Sequence, residues 1–231
     1  MRRHRSSFSE RCRRGLSFGL LVLLLVSPGL GAGWDFNAIS TRTERLYGPA
    51  SAAARQRIDE WAVLLNTPSQ ETIQDKLKRV NQFFNARMAF QDDIVVWKQQ
   101  DYWATPIEFL RKGAGDCEDF ALAKYFTLRE MGVPANQLRI TYVKALQLNQ
   151  AHMVVTWYPT PDAIPLVLDN LKTAILPATQ RTDLLPVYAF NGEGLWLPQS
   201  GGTKRVGDSK RLSRWQDLLT RMRAEGFVIN E

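Results

Sequence analysis

Cysteine and histidine are the residue types in this chain most suited to nucleophilic catalysis, and each occurs twice. The cysteines are Cys12 and Cys117, and the histidines are His4 and His152. A thiolate is a strong nucleophile, and a nearby imidazole can take its proton. Cys12 and His4 belong to an N-terminal segment that has the pattern of a cleaved targeting sequence. Cys117 and His152 are therefore the candidate nucleophile and base.

Cys117 opens a predicted helix, directly after Gly115 and Asp116. Unpaired backbone N–H groups and the positive end of the helix dipole favour a thiolate at that position. The backbone N–H of Cys117 is also a natural donor to an oxyanion. A cysteine in a buried helix can equally be an inert apolar residue, so composition alone leaves both interpretations open.

Acidic residues surround the candidate nucleophile: Asp116, Glu118 and Asp119 lie within two positions of Cys117. Their negative charge would raise the pKa of the thiol unless some of them face away or a cation neutralises them. Carboxylate oxygens are the ligands that calcium prefers, so the group is a candidate metal site. Acids in the first turn of a helix also favour the helix dipole without any metal.

Asp169 is the candidate partner of His152. If the strands around these two residues form a hairpin with residues 159–162 as its loop, His152 lies directly opposite Asp169. Opposite residues share a face of the sheet, with Cβ atoms about 4.5–5.5 Å apart. A carboxylate there would hold the imidazole in the tautomer that a general base needs. Each residue also has an ordinary structural explanation, as a core histidine and as a strand-end aspartate.

The first 33 residues predict a secretory signal peptide. Six arginines precede an apolar run over residues 16–26, and small residues follow up to residue 33. The run is about half of the roughly 20 residues that a membrane span needs, which predicts an exported, periplasmic protein without stable membrane insertion. Without this segment, 24 basic and 22 acidic residues remain, a net charge of +2 instead of +7. With no basic stripe, nucleic acid is not expected as a partner.

Hydrophobic periodicity predicts one α+β domain over residues 34–231. The helix that begins at Cys117 is apolar almost all round, which predicts a central position against an antiparallel sheet. Residues 34–50 read as an irregular lead-in and residues 200–209 as a loop. The predicted helices cover residues 51–66, 68–87, 106–113, 117–131 and 212–226, and the predicted strands cover residues 138–146, 152–158, 165–169, 187–190 and 194–197.

Three sequence blocks resemble the bacterial transglutaminase-like cysteine proteinases, and the likeness extends over about residues 34–227. The blocks are Gly115-Asp116-Cys117-Glu118-Asp119-Phe120-Ala121, Ala151-His152-Met153-Val154 and Leu168-Asp169-Asn170. The resemblance implies a transglutaminase/papain-like fold, with N-terminal helices and a Cys-bearing helix packed on an antiparallel sheet. It also implies the triad Cys117, His152 and Asp169, and calcium held by Asp116 and Glu118, with Asp119 as a further ligand.

The function that the resemblance implies is that of a calcium-dependent periplasmic cysteine endopeptidase. Such an enzyme cuts the N-terminal region of a large surface adhesin at an Ala-Ala-type site, which releases the adhesin and promotes biofilm detachment. An inner-membrane receptor for cyclic di-GMP would sequester it. Two alternatives stay open. The same triad could transfer the acyl group to an amine, as in a transglutaminase or amide-modifying enzyme, or the domain could be an inactive calcium-binding interaction module.

Overall fold

A computed structural model describes residues 33–66, 70–199, 202–229 and 231. The predicted signal peptide lies outside these residues apart from Gly33, so its presence and cleavage stay predictions. Within the described ranges, none of the helices combines the length and the apolar character that crossing a membrane requires.

The helices form the N-terminal half of the domain and its C-terminal end. They are α1 (Phe36–Tyr47), α2 (Ala52–Asn66), α3 (Ile73–Arg87), α4 (Asp93–Val96), α5 (Pro106–Lys112), α6 (Cys117–Glu130) and α7 (Ser213–Glu225). The prediction of an irregular lead-in over residues 34–50 was wrong, because α1 forms there. Asp35 caps α1 by accepting hydrogen bonds from the backbone N–H groups of Asn37 and Ala38. Only Ile39 and Thr43 of α1 are buried, so its sequence carries little apolar periodicity.

Capping residues decide where two of these helices begin. The predicted start of the second long helix at residue 68 was wrong: α3 begins at Ile73, and Thr72 accepts a hydrogen bond from the N–H of Asp75. Residues 67 and 68 themselves lie outside the described residues. The predicted capping box of α5 is confirmed, with Thr105 and Glu108 each bonded to the other's backbone.

The strands follow mainly in the second half of the chain. They are β1 (Ala89–Phe90), β2 (Ala114–Gly115), β3 (Leu138–Ala145), β4 (Gln150–Trp157), β5 (Leu166–Leu168), β6 (Leu176–Pro177), β7 (Leu184–Asn191), β8 (Gly194–Gln199) and β9 (Gly202–Gly207). Seven of them form one antiparallel sheet in the order β6-β5-β4-β3-β7-β8-β9. Strand β9 corrects the predicted loop over residues 200–209. It is a polar, mostly exposed edge strand, and edge strands need no apolar alternation.

Helix α6 is the centre of the domain, as its apolar sequence predicted. Residues 119–128 are all buried, and the helix packs against β3 and β4 of the sheet and against α3 and α5. On the side away from the sheet, the indole Nε1 of Trp61 donates to the hydroxyl of Thr127 at 2.9 Å. The predicted α+β architecture is therefore confirmed, with the N-terminal end of α6 held beside β4.

A two-residue parallel ladder between β1 and β2 positions one further element. Ala89 pairs with Ala114, and Phe90 pairs with Gly115. Strand β2 leads into α6, and β1 leads into α4. The ladder therefore brings the short helix α4 next to the first turn of α6.

Candidate active site

The sulfur of Cys117 lies at the first residue of α6. Asp116 is the N-cap residue. Its backbone is extended, and its side chain makes no capping hydrogen bond. The backbone N–H of Met153 in β4 faces the sulfur. Strand β5 pairs with β4 only from Val155 onward, so Met153 lies beyond the paired part of that edge. This arrangement places the thiol beside the residue that follows His152.

His152 and Asp169 form a buried hydrogen-bonded pair. The Nε2 atom of His152 lies 2.7 Å from Oδ1 of Asp169, and the side chains are 4% and 0% exposed. The same Oδ1 atom accepts the backbone N–H of Leu171 at 3.0 Å. Because Nε2 is engaged by the carboxylate, Nδ1 is the ring nitrogen that remains available to a thiol.

The route by which this pair forms differs from the predicted hairpin. The ladder pairs Thr156 with Val167 and Val155 with Leu168, and β5 ends there. Asp169 is therefore not directly opposite His152, and the connection spans residues 158–165 rather than 159–162. The register differs from the predicted one by two residues. An even shift keeps side chains on the same face, which is why the carboxylate still reaches the ring.

The charge state of Asp169 is set by its hydrogen bonds. Burial alone would raise the pKa of this carboxyl group, but hydrogen bonds from His152 and from the guanidinium of Arg181 lower it to about 2. Asp169 is therefore ionised across the physiological range. An ionised carboxylate accepts a hydrogen bond from Nε2–H and so leaves the lone pair on Nδ1.

The thiol of Cys117 is directed at an acid rather than at the imidazole. Its Sγ donates to Oε2 of Glu118 at 3.0 Å, and no hydrogen bond joins it to His152 within the described residues. Burial raises the pKa of Cys117 well above its ordinary value, and the charges of Glu118 and Asp116 raise it further. The nucleophile is thus held as a neutral thiol beside two acidic side chains.

Three buried or half-buried carboxylates form a cluster next to the thiol. One oxygen from each of Asp93, Asp116 and Asp119 lies within 4.8 Å of the others. Burial raises the pKa of Asp93 to about 6 and that of Asp116 to about 10, and neighbouring acids add to both shifts. Oδ1 of Asp93 and Oδ1 of Asp116 are buried without a hydrogen-bond partner. Unpaired oxygens and mutual repulsion are what a hard cation would relieve.

The predicted ligands belong to two groups of side chains that share Asp116. Asp119 joins Asp93 and Asp116, and its Oδ1 accepts the backbone N–H of Ala104 at 2.8 Å. Glu118 belongs to the second group, with Asp116 and Cys117. The structure thus brings the three predicted acids to one place, while Glu118 contacts the thiol.

Asp93 was missed from the sequence, because it lies 23 positions before Asp116 and belongs to no motif with it. The Asp92-Asp93 pair before an apolar stretch was the available signal, and it is typical of many exposed helix starts. Only the ladder between β1 and β2 places Asp93 at this cluster.

Comparisons with known proteins identify a family and several similar solved structures. The sequence profile described as bacterial transglutaminase-like cysteine proteinase BTLCP matches residues 56–185. A solved structure of Legionella pneumophila LapG is 44% identical with a TM-score of 0.70, and the alignment covers 83% of this chain and 99% of that chain. Its calcium-bound form is 43% identical with a TM-score of 0.69, covering 81% and 99%. Its EGTA-treated form is 44% identical with a TM-score of 0.71, covering 83% and 100%. No curated protein sequence matched the chain.

Proposed function

Because the chain belongs to the bacterial transglutaminase-like cysteine proteinases, we propose that Cys117 is the nucleophile of a calcium-dependent endopeptidase. His152 is its general base, and Asp169 orients His152. Family membership makes the protein a cysteine peptidase. The observation that supports these residue roles most directly is the 2.7 Å hydrogen bond between His152 Nε2 and Asp169 Oδ1, which leaves Nδ1 as the ring nitrogen available to a thiol.

The reaction follows from these groups. The thiol turns away from Glu118, Nδ1 of His152 takes its proton, and the sulfur attacks the peptide carbonyl carbon. The backbone N–H of Cys117 donates to the oxyanion that forms. Cleavage of the C–N bond leaves a thioester, and the departing amine takes the proton from His152. Water, deprotonated by the same imidazole, then hydrolyses the thioester and restores the thiol.

We propose that Asp93, Asp116 and Asp119 hold the calcium ion, with Glu118 beside Asp116. The fit rests on the unpaired oxygens of Asp93 and Asp116 and on the all-oxygen donor set. The calcium-bound and EGTA-treated structures of Legionella LapG support this choice of metal. When bound, the ion supplies positive charge that neutralises carboxylates around the thiol.

The substrate that we propose is the N-terminal region of a large cell-surface adhesin, cut at an Ala-Ala-type site in the periplasm to release the adhesin and promote biofilm detachment. The proposed regulator is the periplasmic domain of an inner-membrane cyclic di-GMP receptor. The likeness to LapG and the predicted signal peptide support these assignments.

One experiment separates the candidate functions. The protein is incubated with an adhesin N-terminal fragment that contains an Ala-Ala site, in calcium and in excess chelator, beside Cys117→Ala. We expect two fragments with the unmodified chain in calcium and an intact substrate in the other reactions. Mass spectrometry that finds a cross-link or deamidation instead of cleavage would establish the acyltransferase. Failure of Cys117 to react with a thiol-directed probe in calcium would favour the inactive calcium-binding module.

A further inference from the structure

The carboxylate of Asp169 is shared between two hydrogen-bond donors, the imidazole of His152 and the guanidinium of Arg181. While Oδ1 contacts His152, Oδ2 accepts a hydrogen bond from Nη2 of Arg181 at 2.6 Å. The side chain of Arg181 is 1% exposed and that of Asp169 is fully buried. No sequence motif marked Arg181, which lies 12 residues beyond Asp169 in a turn between β6 and β7.

Arg181 is fixed in its orientation by a second carboxylate. Asp183 accepts Nε at 2.9 Å and Nη2 at 2.8 Å, a two-bond arrangement that suits the planar guanidinium. The backbone is fixed as well, since the N–H of Arg181 donates to Ala178 and its carbonyl accepts from Leu184. The guanidinium therefore presents one nitrogen to Asp169 in a defined direction.

We propose that Arg181 is a positioning residue for this site, which keeps Asp169 ionised and directed at His152 Nε2 whether or not His152 is protonated. The proposal rests on the proposed function, in which a neutral His152 acts as base. The residue does not touch the substrate and acts only through Asp169.

The physical reason is the cost of an unpaired buried charge. A buried carboxylate bonded only to an imidazole is stable as an anion mainly when the imidazole is protonated. A general base has to be neutral before it acts, so the carboxylate needs a second, permanent cation at that moment. A guanidinium is charged at every physiological pH.

Other charges near the pair do not fill this role. Lys124 on α6 is buried close to Asp169, and burial lowers its pKa to about 7, so it is charged for only part of the neutral range. It donates to Asn85, and Asn85 donates to the backbone carbonyl of Asp169 rather than to its carboxylate. Lys172 lies 4.0 Å from Asp183 instead, and it is half exposed.

Two substitutions are expected to move the titration of His152 in opposite directions. Arg181→Gln removes a positive charge, which stabilises the protonated imidazole and shifts its titration midpoint to higher pH by about one unit. Asp183→Asn removes a negative charge and leaves Arg181 in place, so the midpoint shifts to lower pH by a smaller amount. Arg181→Lys keeps the charge but not the two-bond geometry, so the titration midpoint should stay close to that of the unmodified chain.

The measurement is nitrogen NMR of the imidazole in the full chain with His4→Gln, which leaves one histidine signal. We expect the Nε2–H tautomer in this background and a mixture of tautomers in Arg181→Gln. Arg129→Gln is the matched control, because it removes another ion pair, with Glu231 at 2.8 Å, at the far end of α6. It should lower stability without moving the titration.

A midpoint and tautomer that do not change in Arg181→Gln would overturn the proposal, and so would shifts of the same sign in Arg181→Gln and Asp183→Asn. If Arg181→Gln does not fold, the Asp183→Asn and Arg181→Lys arms decide. The titration is read without turnover, so it stays distinct from the proposed function. That function fails separately if His152→Ala leaves peptide cleavage unchanged.

Discussion

Asp93→Asn should stabilise the protein without calcium and make it insensitive to calcium. Asp93 is 4% exposed and carries a buried oxygen without a partner. Burial raises its pKa from 3.8 to about 6, and the charges of Glu118 and Asp101 add to the rise. Asparagine has nearly the same shape and can still accept the backbone N–H of Tyr102, which bonds the other oxygen. The substitution therefore removes mainly the charge.

The size of the effect follows from the pKa. An acid whose pKa is higher in the folded state is destabilising when ionised. The penalty is absent below about pH 4, grows as the pH rises to about 6, and is constant above that. At about 1.4 kcal/mol per pH unit, the rise from 3.8 to about 6 amounts to at most about 3 kcal/mol. For a domain of this size, that is roughly 6–12 °C in Tm.

Calcium should offset most of this difference in stability between the variant and the unmodified chain. An ion present at a hundred times its Kd stabilises the unmodified chain by about 2.7 kcal/mol, and a variant that binds calcium poorly gains little of this. Thermal and urea unfolding between pH 4 and 8, in metal-stripped buffer and in excess calcium, measure both effects. The exposed Asp59→Asn on α2 is the control and should change neither curve.

Two results would refute the reasoning. One is an Asp93→Asn variant that loses as much stability in metal-stripped buffer as in calcium. The carboxylate would then be only a structural hydrogen-bond acceptor for the backbone N–H of Tyr102. The other is a stabilisation that persists unchanged at pH 4, where the carboxyl group is protonated in the folded state and most of the penalty is gone.

Three further changes test other parts of the site and the fold. Gly115→Ala would place a Cβ 2.1 Å from Oδ2 of Asp119, so calcium affinity should fall by about 10–100-fold in calorimetry; an unchanged affinity would exclude Asp119 as a ligand. Asp169→Asn should lower kcat by about 10³–10⁴-fold on a fluorogenic peptide, because His152 loses the acceptor that fixes its tautomer; a loss below tenfold would contradict the triad. Burial raises the pKa of Glu225 from 4.5 to about 8, so its charge destabilises the fold increasingly as the pH rises between these two values. Glu225→Gln should therefore raise the free energy of unfolding by about 1–3 kcal/mol at pH 9 and change it little at pH 4.

Local patterns in the sequence predicted the features that depend on neighbouring residues. The capping box at Thr105 and the buried helix after Asp116 were visible because caps and apolar periodicity act within a few positions. Cys117 emerged as the candidate nucleophile by its place at a helix start and by the removal of the other cysteine with the predicted signal peptide. The acids beside it indicated a cation for the same local reason.

The tertiary structure decided everything that depends on register and burial. In the observed register of the sheet, Asp169 is not opposite His152 as predicted, but it lies on the same face. Asp93 and Arg181 reach the site through a parallel ladder and a distant turn, and neither carries a local signal. Burial also affects the charges. It raises the pKa of Cys117, whereas at Asp169 the hydrogen bonds outweigh burial and lower the pKa. Desolvation depends on every segment packed around a group, so no window of sequence contains it.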